Sequence, residues 1–217
     1  FAETLTRRPA PGGRRGLWAR LLGWCAGVVV ITAGMVHAQG ALVVAGSAAL
    51  VAVLIAHLVI LQIQRSGSTQ MFGNRFAHLV RYYLAAGALL PLGIAAGVIM
   101  ARVETAPELT GRLYTGHLVA TLLGWIGLTV CGTLVLLWPT ALRTKIDEAA
   151  DRAGRRALGI LLAGTLVMLA AAGAGLRPAV AIGALVYATG IALLAVHVWR
   201  QARIATPRTF ASWSLAA

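Results

Sequence analysis

A chain of 217 residues with 59% hydrophobic and only 12% charged side chains is too apolar for an ordinary soluble domain, where roughly a quarter of residues are charged. Nineteen Lys and Arg against six Asp and Glu give a net charge of +13, which in a soluble protein would point to nucleic acid. Here the basic residues flank long apolar runs, so the partner they suit is the anionic headgroup of membrane lipid, and no nucleic-acid role is expected.

Residues 1–16 form a basic segment with Arg7, Arg8, Arg14 and Arg15. Six apolar runs follow, Leu17–Val36, Ala41–Ile63, Leu84–Met100, Leu113–Leu137, Ala157–Leu176 and Ala179–Trp199. Each is close to the roughly 20 residues a helix needs to cross hydrocarbon, which offers no partner to an unpaired N–H or C=O. The chain is therefore predicted to be all-α, a polytopic membrane helix bundle of six transmembrane helices spanning residues 17–200. The first link, around His37–Gly40, is short enough to make spans one and two a hairpin. The second, Gln64–Arg75, is polar and leads into Phe76-Ala-His78-Leu-Val-Arg81-Tyr82-Tyr83. That stretch suits a helix start at headgroup level, with Arg81 snorkelling and the tyrosines as anchors. Residues 201–217 form a tail that ends in Phe210-Ala-Ser-Trp213-Ser-Leu215, which reads as the opening of a further, truncated span. With Phe1 rather than Met at its start, the sequence is expected to be a piece of a longer protein.

Arg and Lys set the orientation. Sixteen lie before or at the start of span one (Arg20 included), in links two and four, or in the tail, and three (Arg102, Arg112, Arg177) lie in the other links. That asymmetry predicts both termini in the cytoplasm, N-in/C-in, for a multi-pass protein of the cytoplasmic membrane.

The chemistry-bearing side chains are few. Cys25 and Cys131 fall inside spans, where a thiol packs as a small apolar group, and no Cys-x-x-Cys spacing suggests zinc. Span four places Gly116, Ala120 and Gly124 at four-residue intervals, the small-residue pattern that lets helices approach closely, and adds Thr121, Thr129 and Thr133. Leu21-Leu22-Gly23-Trp24 recurs there as Leu122-Leu123-Gly124-Trp125, a repeat that two inverted three-span halves would produce. Histidine is the one side chain that would hold a metal or haem axially. His57, His78 and His197 fall towards the cytoplasmic face, His37 and His117 towards the other. Of these, His57, His78, His117 and His197 are the candidate cofactor-binding residues, each weighed against a water-satisfied or packed imidazole. No catalytic residue is assigned. No span carries two histidines, which disfavours a two-haem cytochrome b arrangement and leaves a single haem b or copper site open.

Three segments carry a resemblance: His117-Leu-Val-Ala-Thr-Leu-Leu-Gly124-Trp125-Ile-Gly127 running on to Leu137-Trp138-Pro139-Thr140, Phe76-Ala-His78-Leu-Val-Arg81-Tyr82-Tyr83, and Pro207-Arg208-Thr-Phe210-Ala-Ser-Trp213-Ser. Over about residues 70–217 the chain resembles the multispanning membrane region of actinobacterial copper oxidases, in which a polytopic segment precedes a cupredoxin-type multicopper oxidase or nitrite-reductase-like module. The resemblance implies a copper-dependent oxidoreductase whose copper lies in that module, outside this sequence. The membrane domain would then be an anchor and an electron-input point linked to quinone or haem, with His78 and His117 as motif positions. Two other classes stay open on the residues alone: a permease for small solutes or metal ions, and a cofactor-free scaffold.

Overall fold

The computed structural model describes residues 9–68, 79–144 and 148–205. Among them there is no strand, and six helices are long and apolar enough to cross a membrane. They are α1 (Gly13–Val36), α2 (Gly40–Ser68), α3 (Val80–Arg102), α4 (Pro107–Ala141), α5 (Glu148–Ala174) and α6 (Arg177–Ile204). All six expected spans are present, each extended into its polar flanks. Once nucleated, a helix gains one hydrogen bond for each residue added, so it runs on until a turn residue stops it. The stop after α5 is Gly175 at φ +71°. Its N–H bonds Ala172 O at 3.1 Å and that of Leu176 bonds Ala171 O at 2.9 Å, a left-handed cap that needs no side chain at Cβ. Pro178 then opens α6, where its missing N–H leaves nothing unsatisfied.

The helices run up and down. The ends of α1, α3 and α5 meet the starts of α2, α4 and α6 at one end of the bundle, which holds Arg102, Arg112 and Arg177 and is the arginine-poor end. At the opposite, arginine-rich end, Tyr82 at the start of α3 reaches Gly154 near the start of α5, and Trp138 at the end of α4 reaches Val198 near the end of α6. The core lies between α3, α4, α5 and α6, around Tyr82, Ala86, Leu89, Leu128, Cys131, Leu161, Met168 and Tyr187. The α1–α2 hairpin packs on the α3 and α4 side of that group, and α1 leaves Leu17, Leu22, Val29 and Val36 exposed, as a lipid-facing helix does.

The most extensively packed pairs are the three consecutive hairpins, α5–α6, α3–α4 and α1–α2. Two equivalent three-helix halves would instead match α1–α2 with α4–α5, so the packing does not follow an inverted repeat. The two Leu-Leu-Gly-Trp segments do meet: Trp24 and Trp125 stack with centroids 6.0 Å apart and planes 24° apart. The α5–α6 crossing is backbone on backbone. A Cβ at Gly183 would sit 2.9 Å from Met168 N and 3.0 Å from Gly164 O, so only glycine fits.

Two expectations need correction. Tyr82 and Tyr83 are not headgroup anchors. Tyr82 is wholly buried and donates to Gly154 O at 2.6 Å, and Tyr83 shares a 2.7 Å hydrogen bond with Thr133 Oγ1. The bundle interior, rather than the interface, supplies their polar partners. The small-residue stripe of span four is also split. Ala120 and Gly124 are buried, with Gly124 against Leu89 of α3, but nothing lies within 4 Å of a Cβ at Gly116. The reason is a change of winding: α4 is α-helical over Pro107–Leu118, π-helical over Val119–Gly127 and α-helical again over Leu128–Ala141. Wider turns carry the stripe off its four-residue line.

Candidate functional site

The π-helical stretch explains how α4 holds its neighbours. Thr121 donates to His117 O at 2.6 Å, and Tyr187 of α6 donates its hydroxyl to Leu123 O at 3.1 Å. That oxygen also receives the N–H of Leu128 five residues on. Gly127 is what admits the tyrosine, since a Cβ there would collide with the Tyr187 hydroxyl. π-Helical turns of this kind are often found at functional sites.

Just before this stretch sits His117. Its Nδ1 lies 2.8 Å from Gly93 O of α3, and its ring packs against Gly97, where a Cβ would come within 3.2 Å of Nδ1 and Cε1. A carbonyl oxygen can only accept, so in the neutral ring Nδ1 carries the proton and Nε2 keeps its lone pair. The ring is thus oriented in the way that ligating or proton-accepting histidines are, by a backbone carbonyl on the far nitrogen.

His117 lines a cavity of about 430 Å³ at the arginine-poor end, walled by Ile31 and Met35 of α1, Val43 and Ser47 of α2, Ile94, Gly97 and Met100 of α3, and Tyr114 of α4. The volume falls in the range of roughly 300–1,000 Å³ typical of small-molecule sites. Met35 is 60% exposed and Tyr114 55% exposed on its rim, so the cavity opens on the outer surface of the bundle near its arginine-poor end. Inside, Ser47 of α2 is only 7% exposed.

The other candidate histidines stand apart. His57 lies about 25 Å along α2 from the arginine-poor end and within electrostatic reach of Arg20 on α1. His197, about 30 Å along α6, lines a void of about 20 Å³ with Cys131, Trp138 and Gln201, room for one water. His37 is exposed at the end of α1. His78 lies outside the described residues. The void at His197 is not lined by His57, and the cavity at His117 is not lined by His37.

Among the described residues no three His, Cys, Asp or Glu side chains group to hold a metal ion. Sequence reasoning identified His117 but missed Ser47, Tyr114 and the two methionines. Ser47 had one signal, as the only polar side chain between Gln39 and His57.

A second, more polar cleft of about 360 Å³ opens beside the first, with Tyr114 as the shared wall. Arg112 lies across Gly175 there, 3.9 Å from Glu108, and Arg177 lines the same space. The guanidinium over the end of α5 complements the helix dipole.

Comparison with protein-family models, with curated proteins and with solved structures finds no match to this chain.

Proposed function

We propose that this chain is the anchoring and electron-input domain of a copper-dependent oxidoreductase of the cytoplasmic membrane, taking reducing equivalents from a lipid-soluble carrier and passing them to copper in a cupredoxin-type module outside this sequence. The observation that carries the reading is the cavity at His117, which opens on the outer surface of the bundle and is lined by an imidazole whose Nδ1 is engaged by Gly93 O. A carrier dissolved in the bilayer would reach it without crossing water. The sixteen-to-three distribution of Arg and Lys supports both ends being cytoplasmic and the cavity lying in the outer leaflet. The likeness of the His117–Trp125 and Trp138–Pro139 segments to copper-oxidase membrane regions supports the choice of metal.

The test uses the full-length protein, purified with its membrane segment. Copper content and the reduced-minus-oxidised spectrum are recorded before and after anaerobic addition of a decyl-tailed benzohydroquinone. Each hydroquinone oxidised to quinone releases two protons and two electrons, enough to reduce two Cu(II) to Cu(I). The reading expects bound copper whose Cu(II) absorbance bleaches, at least tenfold more slowly in His117→Leu. Copper that stays oxidised, or a preparation with no copper, refutes the electron-input role.

A further inference from the structure

We infer that the cavity between α1 and α4 binds its carrier in the reduced, dihydroxy form: a hydroquinone whose one ring hydroxyl donates to His117 Nε2 and whose second oxygen is met by Ser47. This rests on the electron-input reading and specifies the substrate class of that site.

Hydrogen-bond polarity selects the redox form. Because Gly93 O takes the proton of His117 Nδ1, the neutral ring offers the cavity an acceptor at Nε2 and no donor. A quinone carries only carbonyl acceptors, so it would set lone pair against lone pair. A hydroquinone carries two O–H donors and satisfies Nε2 directly. Rotating the ring to reverse this polarity would take the Nδ1 proton away from Gly93 O.

Ser47 supplies the second, independent observation. It belongs to α2, on a different wall from His117, is more than nine-tenths buried, and lines the cavity as a polar side chain among apolar ones. A hydroxyl both donates and accepts, so it would bond the second oxygen in either redox state. Ile31, Val43, Ile94 and Val98 provide the apolar faces for a ring, and the rim at Met35 gives an alkyl tail a way out into lipid. Two other occupants can be set against this one. A lipid acyl chain would fill the apolar volume and use neither polar group. Cu(I) would use the soft thioethers of Met35 and Met100 with His117 and leave Ser47 idle.

The experiment is equilibrium binding to the full-length protein in phosphatidylcholine nanodiscs under argon, with the decyl-tailed benzohydroquinone and its quinone as separate probes. Wild type should bind the hydroquinone at least tenfold more tightly than the quinone. His117→Leu should lose that preference. Ser47→Ala, which keeps the shape of the wall, should weaken both forms by several-fold and retain the preference. Equal affinity for the two forms in wild type, or a preference that survives His117→Leu, overturns the proposal. Full displacement of the hydroquinone by one equivalent of Cu(I), lost in Met35→Leu/Met100→Leu, overturns it in favour of a metal site. Hydroquinone binding that meets these expectations without reducing copper would refute the electron-input reading alone, so the two failures are distinguishable.

Discussion

Gly127→Ala is the sharpest test of the π-helical segment. The added methyl collides with the Tyr187 hydroxyl, and the tyrosine cannot back away. Its own backbone N lies 2.6 Å from where a Cβ on Gly164 would be, so α6 is already pressed against α5 there. Overpacking a filled site costs about 1–3 kcal/mol. Loss of the buried Tyr187–Leu123 hydrogen bond adds about 1 kcal/mol, for a total of about 2–4 kcal/mol. Tyr187→Phe alone removes the hydroxyl but leaves Leu123 O with the Leu128 N–H, so it should cost about 1 kcal/mol. In the double variant the colliding atom is gone. Gly127→Ala/Tyr187→Phe should therefore be more stable than Gly127→Ala, and non-additive by about 2–4 kcal/mol. Reversible unfolding in mixed dodecyl maltoside and dodecyl sulfate micelles, followed by circular dichroism, measures all three. A Gly127→Ala protein within about 0.5 kcal/mol of wild type, or costs that simply add, would refute the packing argument.

In the same assay Gly183→Ala should cost about 2–3 kcal/mol, because its Cβ meets backbone at Met168 N and Gly164 O, which no rotamer change can move. Gly173→Ala, with nothing within 4 Å, should be neutral or stabilise by up to about 1 kcal/mol. Tyr82→Phe should cost about 1–1.5 kcal/mol through its buried bond to Gly154 O, whereas an interfacial anchor would lose almost nothing. For orientation, a membrane-impermeant maleimide added to intact cells should label Glu108→Cys and spare Arg200→Cys, and the opposite result would invert the bundle.

The six crossings were readable from sequence because hydrocarbon imposes one rule everywhere: a long apolar run with its backbone bonded to itself. Charge at the ends made the links equally plain. Features that depend on a neighbouring helix were not readable. Tyr82 follows Arg81 in the chain, so it read as interfacial, yet its partner is a carbonyl 72 residues away on α5. The π-helical turns of Val119–Gly127 have no local signature, since their residues would suit an α-helix, and Tyr187 bonds them from α6. His117 stood out as an ionisable group in a span. Its tautomer is set by Gly93, on another helix and 24 residues earlier. Ser47 looked like any small residue until the cavity beside it was seen.

The altered winding of α4 also fixes the length of this chain at one point. In a regular helix each residue turns the chain by about 100°. Deleting a single residue within Val119–Gly127 and restoring ordinary turns would swing everything after it relative to everything before. Leu128, Cys131 and Trp138 could not all stay inward while His117 kept its place on α3. Point substitutions can be absorbed along much of a lipid-facing helix, but a three-nucleotide in-frame loss here would disengage one half of the bundle from the other.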